Sequence, residues 1–96
     1  MSRPLSELEV RATLALFRIS QELREKCVEI ARQKSPSAAF DLAARAAILD
    51  GMSQIEALGI AKATRWLAVI RRDYGGGKFE KVVGTLTQTT AKGLSC

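Results

Sequence analysis

The sequence predicts an all-α protein, a small helical bundle of about five helices that contains a helix-turn-helix and ends in a short C-terminal tail. Apolar residues recur every three or four positions through most of the chain, as on the buried face of an amphipathic helix. Serine N-caps and a C-terminal glycine divide this periodic region into separate helices. With 96 residues, 47% of them apolar, the chain can bury a modest core without disulfides or metal.

The first two helices are predicted from their caps and their apolar spacing. Ser6 and Glu9 have the spacing of a capping box, and the helix that they begin covers residues 7–17. Ser20 is the N-cap candidate of a second, amphipathic helix that ends near Lys34. Charged side chains cover the polar face of that helix.

The third predicted helix begins with serine and proline. Ser35 is its N-cap candidate, and Pro36 occupies the first helical position, where a missing N–H costs nothing. The helix continues to Asp50. Gly51 follows as a residue that can adopt positive φ and end the helix.

Residues 53–73 carry the pattern that points to a function. Ser53 and Glu56 make a second capping box, Gly59 marks a turn, and another helix covers residues 61–73. A short capped helix, a glycine turn and a helix with cations on its outer face are typical of a helix-turn-helix. The alternative is an ordinary helical hairpin whose cations form a solvated face.

A helix-turn-helix presents the start of its second helix to base edges in the major groove. The side chains assigned to base reading are Lys62, Thr64, Arg65 and Ala68, the last being small enough to contact a thymine methyl group. The residues assigned to phosphate contacts are Ser53, Gln54, Arg71, Arg72 and Lys78.

The three glycines from Gly75 to Gly77 predict a hinge. Residues 1–74 then form the DNA-binding domain, and residues 75–96 form the hinge and the tail. The tail has β character from Phe79 to Leu86.

Charge is distributed unevenly along the chain. Residues 51–96 hold seven basic and three acidic side chains (7 − 3 = +4), whereas residues 1–50 hold eight and seven (8 − 7 = +1). The half that contains the predicted helix-turn-helix is therefore the electropositive half. This distribution favours a polyanionic partner, and we expect that partner to be double-stranded DNA.

Several classes of protein are disfavoured by what the sequence lacks. The chain has no histidine and no clustered pair of carboxylates, so we expect neither an enzyme nor a metal or cofactor site. Cys27 and Cys96 fit no ligand spacing, and Cys27 on an apolar helix face suggests a buried thiol in a reducing cytoplasm. No apolar run is long enough to span a membrane, and the charged N-terminus is not a signal peptide. The expected location is the bacterial cytoplasm, in association with the nucleoid.

Three segments together resemble a known family. In chain order they read LSELEVRATLALFRIS, VEIAR and AAILDGMSQIEAL, and they are similar to the pattern of the TrfB/KorA-type plasmid transcriptional repressors. The stretch LDGMSQIEA is also similar to the helix-turn-helix entry of PapB-type regulators. The resemblance implies a plasmid-encoded repressor, and it assigns operator reading to Lys62, Thr64 and Arg65.

The sequence therefore predicts a transcriptional repressor that binds palindromic operators as a homodimer, because one recognition helix reads only half of such a site. A second hypothesis is a helical protein-interaction module that uses the helix at residues 21–33 and Trp66 as its contact surface. A third is an architectural DNA-binding protein without sequence preference.

Overall fold

The described chain folds into five α-helices. The computed structural model describes the backbone of residues 7–95 and the side chains of residues 10–84 and 86. In chain order the helices are α1 (Glu7–Arg18), α2 (Gln21–Gln33), α3 (Pro36–Leu49), α4 (Gln54–Tyr74) and α5 (Gly76–Ser95). The predicted all-α class with about five helices is confirmed.

The first three helices have the predicted limits to within a residue or two. The Ser20 hydroxyl accepts a hydrogen bond from the backbone N–H of Leu23 at 3.2 Å and caps α2. Ser35 caps α3, and Pro36 is its first residue. The predicted capping box of Ser6 and Glu9 lies outside the described side chains.

The end of α3 is fixed by two hydrogen bonds that turn the chain. Gly51 has φ +94°, as predicted for the residue after the helix. Its N–H donates to the carbonyl of Ile48 at 3.0 Å, and the N–H of Met52 donates to the carbonyl of Ala47 at 3.1 Å. This is the Schellman arrangement, which satisfies carbonyls that the helix itself leaves unpaired. Ser53 then begins α4 within a few residues.

The predicted turn at Gly59 is wrong, because α4 is one continuous helix of 21 residues. Its buried residues keep helical spacing across the glycine: Ala57, Ile60, Ala61, Ala63, Thr64, Leu67, Ala68 and Ile70. Glycine in a helix interior costs only about 1 kcal/mol relative to alanine. Burial of this long face outweighs that cost.

Helices α3 and α4 form an antiparallel hairpin. The short segment after Leu49 joins the end of α3 to the start of α4. At the opposite end, the guanidinium of Arg71 on α4 donates to the carbonyl of Lys34, just before α3. The two helices therefore run side by side for the length of α3. Alanines at 0% exposure let them pack closely, among them Ala43 and Ala61.

Helix α4 is the centre of the bundle, since it packs against all four other helices. The amphipathic face of α2 packs into the same core, with Leu23 and Cys27 buried. The predicted burial of Cys27 is thus confirmed. Because this face is used inside the fold, the second hypothesis loses the α2 contact surface that it named.

The predicted hinge and β-like tail are also wrong. Gly75, with φ +93°, is the sole residue between α4 and α5, and Gly76 and Gly77 belong to the first turn of α5. Phe79 and Leu86 of α5 are 1% and 2% exposed, and both belong to the hydrophobic core. The segment after Gly75 is therefore an integral fifth helix.

Two glycine substitutions test where the helices end, one inside α4 and one in the turn between α3 and α4. Gly59→Ala is expected to raise the free energy of unfolding by about 0.5–1 kcal/mol, because a helical backbone suits alanine and a Cβ there meets nothing within 4 Å. Gly51→Ala, at φ +94°, is expected to lower it by about 1 kcal/mol. Urea unfolding measures both. If Gly59→Ala instead lowered the free energy of unfolding, the predicted turn at Gly59 would be favoured over the continuous helix.

Candidate nucleic-acid interface

The solvent face of α4 carries a continuous row of side chains at four- and three-residue intervals. We call this row the α4 stripe, and its members are Gln54, Leu58, Lys62, Arg65, Val69 and Arg72. All of them are exposed except Val69, which is half-buried. At a rise of about 1.5 Å per residue, Lys62 and Arg72 lie about 15 Å apart along the helix axis. The stripe contains three cations and no carboxylate.

Arg65 is held by an aromatic ring from the neighbouring helix. Its guanidinium carbon lies 5.1 Å from the ring centroid of Phe40 on α3, a cation–π contact. A guanidinium over an aromatic face keeps N–H groups free to donate outward. Nothing in the local sequence pattern predicts Phe40 as part of the site. Only the antiparallel pairing of α3 with α4 brings it to Arg65.

A cleft of about 440 Å³ lies beside this pair, between the start of α3 and the middle of α4. Two guanidinium groups and one carboxylate are among its lining residues, which are Ser35, Pro36, Ser37, Phe40, Asp41, Arg65 and Arg72. Arg72 also forms an exposed ion pair with Asp73, with Nε 2.9 Å from Oδ1. Exposed pairs of this kind are weak, so a phosphate can compete for the guanidinium.

Two of the four predicted base readers lie inside the protein. Thr64 and Ala68 are both 0% exposed, because they are on the face of α4 that packs into the bundle. The Thr64 hydroxyl donates to the carbonyl of Ile60 at 2.9 Å. Their assignment to DNA bases is therefore wrong. Lys62 and Arg65, the other two, are exposed on the α4 stripe.

The start of α4 does not offer the predicted phosphate site at Ser53. The Ser53 hydroxyl accepts the N–H of Glu56 at 3.2 Å, and the N–H of Ser53 donates to the Glu56 carboxylate at 3.1 Å. The capping box is thus confirmed, but it fills this end of the helix with a carboxylate. The hydrogen bond from Ser53 lowers the pKa of Glu56, so the carboxylate is ionised at neutral pH and repels a phosphate. Gln54 remains exposed.

Arg71, another predicted phosphate contact, has a structural role. Its Nε donates to the carbonyl of Ala31 at 2.9 Å, and its Nη2 donates to the carbonyl of Lys34 at 2.8 Å. These carbonyls belong to the end of α2, where a cation is favoured by the helix dipole. Lys78 stays exposed at the start of α5, with its Nζ 4.3 Å from the ring centroid of Tyr74.

The remaining chemistry of the described residues is limited. They contain no group of histidine, cysteine and carboxylate side chains that could hold a metal ion. Burial raises the pKa of the Cys27 thiol, although a hydrogen bond with Thr64 partly opposes this shift. The thiol is therefore protonated at neutral pH and unreactive.

Among the described helices, none combines the length and apolarity that crossing a membrane requires.

The structure therefore brings together Gln54, Lys62, Arg65 and Arg72 on one exposed helix face and leaves Lys78 near its end. It separates them from Thr64, Ala68 and Arg71, which face inward or support α2.

The chain matches no protein-family model, no curated sequence and no solved structure.

Proposed function

We propose that the protein is a DNA-binding transcriptional repressor that places the α4 stripe in the major groove of double-stranded DNA. The observation that carries the proposal is the stripe itself, which combines three cations with a glutamine on the exposed face of a 21-residue helix. An α-helix with its side chains is about 10–12 Å wide and fits a major groove about 12 Å wide. The segment thus acts as one long recognition helix in place of the predicted helix-turn-helix.

Within the stripe, side-chain chemistry suggests a division of roles. Lys62 and Arg65 can donate to the O6 and N7 acceptors of guanine, and Gln54 can pair with adenine. Arg72, near the end of α4, and Lys78, at the start of α5, are proposed to contact phosphates, which position the protein without reading sequence. Regulation of plasmid genes is supported by the sequence resemblance alone.

Salt-dependent binding to duplex DNA tests the proposal. We expect Lys62→Ala and Arg65→Ala each to weaken binding at moderate salt by about tenfold, and Arg72→Ala, which removes a proposed phosphate contact, to reduce the slope of log K against log salt by about one unit. Fluorescence anisotropy with a labelled duplex measures both quantities. Lys26→Ala, which removes an exposed cation on α2, is the matched control and should change neither. Absence of binding by the wild type at low salt would contradict the proposal.

Sequence preference is tested by selecting bound fragments from random duplex DNA. Enrichment of a palindrome supports a repressor that binds as a dimer. On the enriched site, Arg65→Ala should lose more affinity than on unrelated DNA, whereas Arg72→Ala should lose about the same on both. Binding without any enrichment would favour an architectural DNA-binding protein.

A further inference from the structure

Phe40 differs from the other two phenylalanines of the chain, because its ring lies outside the hydrophobic core. Phe79 belongs to the core, and Phe17 packs against it. Phe40 does neither and is half-buried at the surface of α3. The guanidinium carbon of Arg65 lies 5.1 Å from the centroid of its ring. Core packing therefore does not account for this ring, whereas the contact with Arg65 does.

The three cations of the α4 stripe differ in what restrains their charged groups. Arg65 lies against a ring of the neighbouring helix, whereas Arg72 pairs with its own sequence neighbour Asp73. Among the described residues, Lys62 has neither a ring nor a carboxylate partner. Of the three, Arg65 is therefore the cation whose charged group is held from outside α4.

This restraint leaves the N–H groups of Arg65 free to donate. A carboxylate would occupy some of them and offset their charge, but contact with the face of a ring does neither. Asp41 lines the same cleft, yet within the described part of the chain it forms no ion pair with Arg65. A group that is already ordered loses less conformational freedom when it binds. The geometry thus suits paired hydrogen bonds to a guanine edge, which require a defined orientation of the guanidinium.

We propose that Phe40 is a positioning residue for base reading, which orders the guanidinium of Arg65 before DNA binds and thereby sharpens the preference for one base pair. The proposal rests on the proposed function, since a base is read only if the α4 stripe enters the major groove. Phe40 acts through Arg65 and needs no contact of its own with DNA. Helix α3 thus contributes to sequence preference although α4 makes the contact.

The ordering of Arg65 is tested without DNA, by ¹⁵N relaxation of the arginine Nε–Hε groups in the full chain. Arg45 is the internal reference, because it is exposed on α3 and has no ring or carboxylate partner among the described residues. We expect a higher order parameter at Arg65 than at Arg45. Phe40→Leu, which keeps an apolar side chain but removes the ring, should abolish the difference, and Phe40→Tyr should preserve it. Equal order parameters in the wild type overturn the proposal.

Binding to two duplexes, the site enriched by selection and an unrelated sequence, tests the consequence for base reading. Phe40→Leu is expected to lose about fivefold in affinity on the enriched site and less than about twofold on the unrelated duplex. Phe40→Tyr should stay within about twofold of the wild type on both, because it keeps the ring. An unchanged affinity of Phe40→Leu on the enriched site, or an equal loss on both duplexes, overturns the role in base reading.

Tyr74→Leu is the matched control. Tyr74 is 65% exposed, and its ring centroid lies 4.3 Å from the Nζ of Lys78, a proposed phosphate contact. This variant also removes a ring from under a cation, but the cation does not read bases. Any loss of affinity in Tyr74→Leu should therefore be the same on the two duplexes.

A double-mutant cycle shows whether Phe40 acts through Arg65. In the Arg65→Ala background, Phe40→Leu should cause no further loss on the enriched site, because the group that the ring orders is gone. The same loss in both backgrounds would mean that Phe40 acts independently of Arg65, and it would overturn the proposal. Circular dichroism and urea unfolding confirm that each variant is folded at the temperature of the binding measurements.

These measurements separate the positioning role from the proposed function. A wild type that prefers one sequence, with Phe40→Leu equally selective, overturns the positioning role and leaves the DNA-binding repressor standing. A wild type that binds no duplex at low salt overturns the proposed function and base reading with it, whereas the ordering of Arg65 by Phe40 stands or falls on the relaxation data. Duplex binding without sequence preference overturns the base-reading role and leaves DNA binding standing.

Discussion

Replacing Arg24 by alanine is expected to lower the free energy of unfolding by about 3 kcal/mol or more, because it leaves buried carbonyls without donors. Arg24 on α2 is 6% exposed. Its Nε donates to the carbonyl of Leu16 at 2.7 Å, and its Nη2 donates to the carbonyls of Phe17 at 3.2 Å and Ile19 at 3.1 Å. The guanidinium thus satisfies the C-terminal end of α1, where the helix dipole favours a cation.

Chemical denaturation measures this effect against two controls. Lys26→Ala removes an exposed cation from the same helix and should change the free energy of unfolding by about 0.5 kcal/mol or less. Arg24→Lys keeps the charge but cannot reproduce the planar arrangement of donors, so an intermediate loss is expected. If Arg24→Ala were as stable as Lys26→Ala, the capping role of this arginine would be refuted.

Arg24 also shows a limit of reasoning from the sequence. Helical spacing places it among the charged residues that cover the polar face of α2, and nothing in the local pattern distinguishes it from Lys26. The difference arises because the chain turns sharply between α1 and α2 and directs the last carbonyls of α1 at this one guanidinium. A contact of this kind depends on the angle between two helices, which apolar spacing does not specify.

The limits of α2 and α3 and the start of α4 were predictable because local chemistry determines them. Serine hydroxyls, Pro36 and the positive φ of Gly51 act within four residues of where they stand. The predicted turn at Gly59 is wrong for a different reason: glycine locally disfavours a helix, but the buried spacing of α4 continues across it. The continuous spacing was the better evidence.

The fifth helix was missed for a related reason. Three consecutive glycines and a tail rich in threonine and valine have low helix propensity. Phe79, Val82, Val83 and Leu86 nevertheless follow the i, i+3, i+4, i+7 spacing of a helix face, and in the structure they pack on the core. The bidentate pair of Arg32 with Glu80, at 2.9 and 3.0 Å, also connects α2 to α5. Tertiary burial outweighs the poor local propensity.

Part of the candidate site, its exposed cations, was predictable from the sequence. The cationic character of residues 62–72 is a property of composition, so Lys62, Arg65 and Arg72 were identified correctly as exposed cations. Which neighbours share their face depends on the phase of the helix. A turn at Gly59 would rotate the following helix about its axis and bring Thr64 and Ala68 to the outer face. In the continuous helix both are buried.

Ala68→Leu tests this correction of the helix phase, and it is expected to lower the free energy of unfolding by about 3 kcal/mol. Alanine and leucine are both strong helix formers, so the exchange is nearly neutral on a solvent-exposed face. Ala68 is 0% exposed on the face of α4 that packs into the bundle. The added carbons must therefore displace neighbouring side chains or push the helices apart. Lys62→Leu makes the same new side chain on the exposed stripe, and its effect on stability should be about 0.5 kcal/mol or less.

The two variants should also behave in opposite ways toward DNA. Lys62→Leu removes a cation from the stripe and should weaken duplex binding about tenfold at moderate salt while leaving stability unchanged. Ala68→Leu, measured at a temperature where it is folded, should bind duplex with nearly the wild-type affinity, because the stripe is intact. A stable Ala68→Leu variant with weakened DNA binding would place Ala68 at the groove after all, and the helix-turn-helix assignment of residues 53–73 would be preferred to the continuous helix.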